Sequence, residues 1–94
     1  MGKWTFLTNH SQVLLCLANN GGRLTAREIA EVVGITERAV QRILSDLEES
    51  GYLTRVRDGR KNRYELHPEV PMRHPAQRGQ AVRDLLELLT PRDP

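Results

Sequence analysis

The sequence predicts a mainly α-helical domain with one small β-hairpin and an added C-terminal helix. Three observations predict it. Apolar residues recur at helical spacing in four stretches, and glycines stand where the first three of these end. After the third, two runs rich in β-branched and aromatic residues flank Asp58-Gly59-Arg60-Lys61. The 94 residues suffice for one apolar core and leave nothing for a second. Hydrophobic residues make up 38% of the chain, and only Trp4, Phe6, Tyr52 and Tyr64 are aromatic, so the core must rest on Leu, Val, Ile and Ala.

The first helix covers about residues 10 to 19, capped by Thr8 or Asn9 and ended by Asn20-Gly21-Gly22. Val13, Leu14 and Leu17 form one face and Leu15 projects to the other, which predicts burial from two directions. Thr25-Ala26-Arg27-Glu28 has the spacing in which a threonine hydroxyl and a glutamate carboxylate satisfy the backbone donors of a helix start. The second helix therefore begins there, carries Ala26, Ile29, Ala30 and Val33 as its stripe, and stops at Gly34. Thr36 caps a third helix, 36–50, whose stripe is Val40, Ile43, Leu44 and Leu47 and which ends at Gly51.

Tyr52 to Arg57 and Asn62 to Leu66 then read as the strands of a hairpin. A two-residue Asp-Gly turn and a longer loop are both compatible with its tip, and they pair different residues. Pro68, Pro71 and Pro75 make 68–75 an extended connector. Pro75 suits the first turn of a last helix over about residues 76 to 89, with Val82, Leu85, Leu86 and Leu89 on one side and Pro91 closing it. The expected organisation is a binding domain over 1–67, the connector, and a dimerising C-terminal helix within 76–94.

Two short helices around a glycine turn, followed by a hairpin, make a winged helix-turn-helix. The stretch LTAREIAEVVGITERAVQRILSDLEESGYL, Leu24 to Leu53, resembles winged-helix regulators of the MarR and ArsR type, with Gly34 at the turn and Gly51-Tyr52-Leu53 after the third helix. RVRDGRKNRYEL, Arg55 to Leu66, continues the resemblance through the wing. It implies a transcription regulator, chiefly a repressor, whose third helix enters the major groove of double-stranded DNA.

The residues themselves agree with that role. With the third helix's stripe committed to the core, Arg38, Arg42 and Ser45 point the opposite way, with Gln41 on one flank. Arg can bond a guanine edge twice and Gln an adenine edge twice, while Thr36 at the helix start can meet a phosphate. Glu37, Glu48 and Glu49 oppose phosphates, so the helix's C-terminal end must leave the groove. The wing, 55–63, holds Arg55, Arg57, Arg60, Lys61 and Arg63 against Asp58 alone. Arg60, Lys61 and Arg63 belong beside the flanking duplex, and Arg55 either there or on a strand face. The resemblance to the MarR type makes Arg60 the first choice for the minor groove.

Other classes have less support. ArsR-type metal sensors use paired cysteines or clusters of histidine and carboxylate. Here Cys16 is alone and His10, His67 and His74 are scattered, so no metal and no cofactor is expected. No nucleophile elbow, phosphate loop or H-E-x-x-H occurs, which argues against an enzyme. No apolar run approaches the roughly 18 residues of a membrane span, and the expected location is the cytoplasm. The competing reading is a winged-helix module that binds another protein without reading DNA; the basic wing speaks against it. A homodimer on a palindromic operator is expected, its seam formed by Leu15, Val82, Leu85, Leu86 and Leu89.

Overall fold

A computed structural model describes residues 4–77 and 79–90. Helix α1 spans Asn9–Asn19, α2 Ala26–Val33 and α3 Glu37–Glu49; strands β1, Leu53–Asp58, and β2, Lys61–Leu66, pair antiparallel; a single 3-10 turn at Pro75–Gln77 precedes α4, Val82–Leu89. Four helices and a two-stranded hairpin thus make a winged helix-turn-helix, as the spacing predicts.

Each of the first three helices starts at a threonine in extended conformation whose hydroxyl accepts a first-turn N–H: Thr8 from Ser11, Thr25 from Glu28 and Thr36 from Ala39. At Thr25 the capping box closes, because the Glu28 carboxylate accepts the Thr25 N–H at 2.8 Å. The Thr25 N–H, and after it the Thr25 hydroxyl acting on the carboxylate, draw the Glu28 carboxyl below its ordinary range, and the nearby charge of Lys61 adds to the effect. Gly34 ends α2 in the left-handed region, as a short turn into α3 requires.

The core is one cluster. Val13, Leu17, Ile29, Val40, Leu44 and Leu53 are essentially inaccessible and join the three helices to the base of the hairpin. Burying each Leu or Ile side chain is worth about 1.5–3 kcal/mol, so this cluster dominates the stability of the fold. Cys16 also lies inside, and burial raises its thiol above the usual range.

The hairpin register resolves the two turn readings. Asp58 pairs with Lys61, so the loop is two residues long but consists of Gly59 and Arg60 rather than Asp58 and Gly59. Gly59 takes φ 66°, and among the described residues only glycines have positive φ, which suits glycine at the first position of a tight hairpin turn.

Two expectations need correction after the hairpin. The last helix begins at Val82, not near Ala76. Pro75 does open a helical turn, but Gly79 follows it. The Met72 N–H then bonds the Gln80 carbonyl at 3.0 Å and the Val82 N–H bonds the Val70 carbonyl at 2.9 Å, holding Ala81 extended in a bridge to Pro71. The proline-spaced segment is consequently folded rather than a free spacer. Its Val70 and Met72 pack on the core, the Tyr52 hydroxyl donates to the Pro71 carbonyl at 2.7 Å, and the carbonyls of Pro68 and Val70 satisfy the first N–H groups of α4. Helix α4 has no side-chain cap, and these carbonyls take over that work. Pro91 lies outside the described residues.

The second correction concerns the apolar seam. An isolated helix of eight residues does not persist in water, and α4 is held by burying Val82 and Leu86 in the chain's own core against α1. Leu15 is buried there as well. Leu85 stays half-buried, whereas Leu88 and Leu89 remain exposed.

Candidate nucleic-acid interface

Helix α3 is two-faced because its apolar stripe is continuous. Val40, Ile43, Leu44 and Leu47 are buried, which leaves Arg38, Gln41, Arg42 and Ser45 exposed on the outer side. Thr36 is also exposed. Its oxygen accepts the Ala39 N–H at 3.0 Å, while its hydroxyl proton remains available to an external acceptor at the positive end of the helix dipole. Glu37 is exposed in the first turn and opposes an anion there. Glu48 is turned away, its carboxylate accepting the Arg55 backbone N–H at 3.4 Å.

The wing residues divide by strand face. Leu53, Arg55 and Arg57 alternate with Thr54, Val56 and Asp58, and pair with Leu66, Tyr64 and Asn62 on the core side. Arg55 therefore lies under the sheet, its guanidinium carbon 5.8 Å from the centre of the Tyr64 ring. Its Nε and Nη2 are buried without a hydrogen-bond partner among the described residues. That position separates Arg55 from the other cations proposed to meet DNA. Arg57 donates from Nε to the Gly59 carbonyl at 2.8 Å and braces the turn. Arg60 occupies the turn itself and is exposed, as is Lys61. Arg63 lies on the outer strand face, half-buried, with Nη1 3.4 Å from Glu65.

Two clefts border α3, and His10 lines both. One, of about 380 Å³, is mostly apolar and is walled by Leu14, Leu47, Tyr52, Met72, Val82 and Leu85, with His10, Asp46 and Arg73 among its polar members. The other, of about 590 Å³, lies between the start of α1 and the first half of α3 and is lined by Asn9, His10, Thr36, Arg38, Ala39, Arg42 and Ile43. His10 Nε2 stands 2.8 Å from the Asp46 carboxylate. Sequence reading grouped His10 with scattered histidines, and a pair 36 residues apart left no local pattern that could reveal it.

No described helix is long and apolar enough to cross a membrane. Among the described residues no three His, Cys, Asp or Glu side chains gather as metal ligands.

A family model for the MarR family matches residues 5–63, more than half of the chain. An uncharacterised protein of Methanocaldococcus jannaschii is 33% identical over 66 residues, which are 70% of this chain and 14% of that protein. MepR, a transcription regulator of the Staphylococcus aureus multidrug efflux pump MepA, superposes with a TM-score of 0.57 at 26% identity over 64% of this chain and 46% of MepR. IscR of T. potens superposes with a TM-score of 0.58 over 96% of this chain and 94% of its own, at 14% identity, a likeness of fold alone. The chain spans about a seventh of the archaeal relative and under half of MepR.

Proposed function

The chain belongs to the MarR family of winged-helix regulators, and from that premise we propose that it binds double-stranded DNA in a sequence-dependent way and regulates transcription, chiefly by repression. The observation that carries this reading is the division of α3 into a buried apolar stripe and an outer face of Arg38, Gln41, Arg42 and Ser45. That face carries the side chains of a major-groove reader. Arg38 and Gln41 read bases; Thr36, Arg42 and Ser45 meet the backbone. The wing brings Arg60 to the minor groove of the flanking duplex, with Lys61 and Arg63 on phosphates. Arg55 has a supporting part, stiffening the wing from below against Tyr64.

The regulator acts as a homodimer on a palindromic site, in the cytoplasm, without a cofactor and without catalysis. Its DNA-binding unit is 1–67, with 68–75 as the connector and the C-terminal segment 76–94 serving association. Support for the dimer comes from apolar surface left uncovered: Trp4 is 74% exposed, Phe6 92% and Leu88 78%, with Leu89 and Val32 exposed as well. Leu85 and Leu89 face the seam directly, whereas Leu15, Val82 and Leu86 back it from inside the protomer. Selection of bound sequences from a random duplex pool tests the function. Enrichment of an inverted repeat is the expected result, and recovery of unenriched sequence at low salt would refute sequence-dependent readout.

A further inference from the structure

The cleft between the start of α1 and the first half of α3 has an unbalanced lining. Arg38 and Arg42 contribute two guanidinium groups, Asn9 and Thr36 contribute polar side chains, and among the described residues no carboxylate lines it. The bonds within the first turn of α1 account for the Ser11 and Gln12 N–H groups, leaving those of Asn9 and His10 as its open donors. Glu37, between Thr36 and Arg38, is exposed in the first turn of α3, while Asp46, in the neighbouring apolar cleft, is engaged at 2.8 Å by His10 Nε2. Nδ1 takes no part in that bond.

We propose that this cleft seats a backbone phosphate of bound DNA, held by Arg42, Asn9 and His10, and that Asp46 positions the imidazole for it. The proposal rests on the duplex-binding reading above and adds a residue and a linked proton to it. The chemistry follows from the histidine's two nitrogens. When the ring is neutral and Nε2–H donates to Asp46, Nδ1 presents a lone pair and repels a phosphate oxygen. When the ring is protonated, both nitrogens donate, one to Asp46 and one to the phosphate. Seating the phosphate therefore takes one proton from solvent, and affinity rises as pH falls. The charged groups that line the two clefts with His10 are Asp46, Arg38 and Arg42 from α3 and Arg73 from the segment before α4, and Glu37, exposed between Thr36 and Arg38, is the carboxylate that a seated phosphate must avoid. The protonated ring alone can donate to Asp46 and to the phosphate at once, which is why the proton and the phosphate arrive together.

The test measures affinity for a mixed-sequence duplex by fluorescence anisotropy from about pH 6 to about pH 8 at several salt concentrations. A phosphate contact is independent of sequence, so no operator is needed. Wild type should bind more tightly toward pH 6, by at most about tenfold per pH unit, the limit set by one proton. His10→Gln, at a half-exposed position that tolerates the change, should lose this component and show a salt slope shallower by about 0.9 at the acid end only. Asp46→Asn should keep the hydrogen bond but shift the rise to lower pH, a change that a merely structural role would not produce. If wild type binds duplex with the same pH profile as His10→Gln, the phosphate seat is overturned while the regulator reading stands. If wild type binds no duplex even at low salt, both are overturned.

Discussion

The carbonyl of Gly22 accepts the Tyr64 N–H at 2.9 Å, and this bond ties the wing to the loop between α1 and α2. Tyr64 is buried and carries Arg55 on its ring, so the anchor also fixes the underside of the hairpin. Gly22 sits at φ 76°, and a Cβ there would overlap the Tyr64 carbonyl oxygen; neighbouring Gly21, at φ 64°, has open space around its Cα. Both positions strain an L-residue, but only one also breaks the anchor. Gly22→Ala should destabilise the protein by about 2 kcal/mol or more and Gly21→Ala by about 1 kcal/mol, as read by urea denaturation. Equal losses would show that the approach of the wing to this loop is not tight.

Glu28 makes stability depend on acid. Its folded-state carboxyl is held below the ordinary value by the Thr25 N–H and hydroxyl, so the stabilisation is complete above the unfolded pKa and fades as pH falls through the folded one. Glu28→Gln keeps the length of the cap but removes the titration. The mutant's denaturation midpoint should fall less steeply than wild type's over about pH 5 to 3. Parallel curves would mean that the cap carries no proton linkage.

Cys16 should react slowly with a thiol reagent in the folded protein. It is 7% exposed, and burial raises its pKa, so the thiolate fraction is small. Labelling should accelerate with denaturant in step with unfolding. Fast labelling of native protein, with loss of duplex binding, would reveal a redox-sensitive thiol instead.

Helices α1 to α3 were legible because their signals are local. Thr25 and Glu28 stand three residues apart, and Val40, Ile43, Leu44 and Leu47 mark a face without reference to the rest of the chain. The start of α4 was hidden because the bonds from Met72 to Gln80 and from Val82 to Val70 compete with helix formation, and nothing near Ala76 announces them. Leu15 is buried within the protomer, on the second side that its place opposite Val13, Leu14 and Leu17 predicts, and no local pattern says what covers it. At the interface, the outer face of α3 followed from its stripe. The inward turn of Arg55 depended on a hairpin register that two turn lengths left open.

The residues proposed to read bases and those proposed to bind phosphate should separate in one experiment. Arg38→Ala or Gln41→Ala should cost about 1–3 kcal/mol on the preferred site and relax specificity there. Arg60→Ala should weaken all duplexes alike and flatten the salt slope by about one unit. Loss of specificity from Arg60→Ala, with none from Arg38→Ala or Gln41→Ala, would move the readout from α3 to the wing.

The proposed association surface can be tested without disturbing the core, because the exposed residues at the end of α4 differ in burial from those beneath. Trp4 and Phe6 make an edge-to-face pair with ring centres 5.1 Å apart and lie exposed together, while Leu88 and Leu89 are exposed at the end of α4. Val82 and Leu86 hold α4 to its own protomer from the other side. Replacing Leu88 and Leu89 with Glu puts two charges on the outer surface and leaves both anchors in place. The variant should keep its helical circular dichroism and, at micromolar concentration, sediment as a monomer where wild type sediments as a dimer. Operator binding should weaken with it, because two α3 helices spaced about 34 Å apart read a palindrome through one linked event, and separated protomers lose that gain. Wild-type protein that sediments as a monomer would overturn the dimer. A variant that stays dimeric would place the seam elsewhere than on α4.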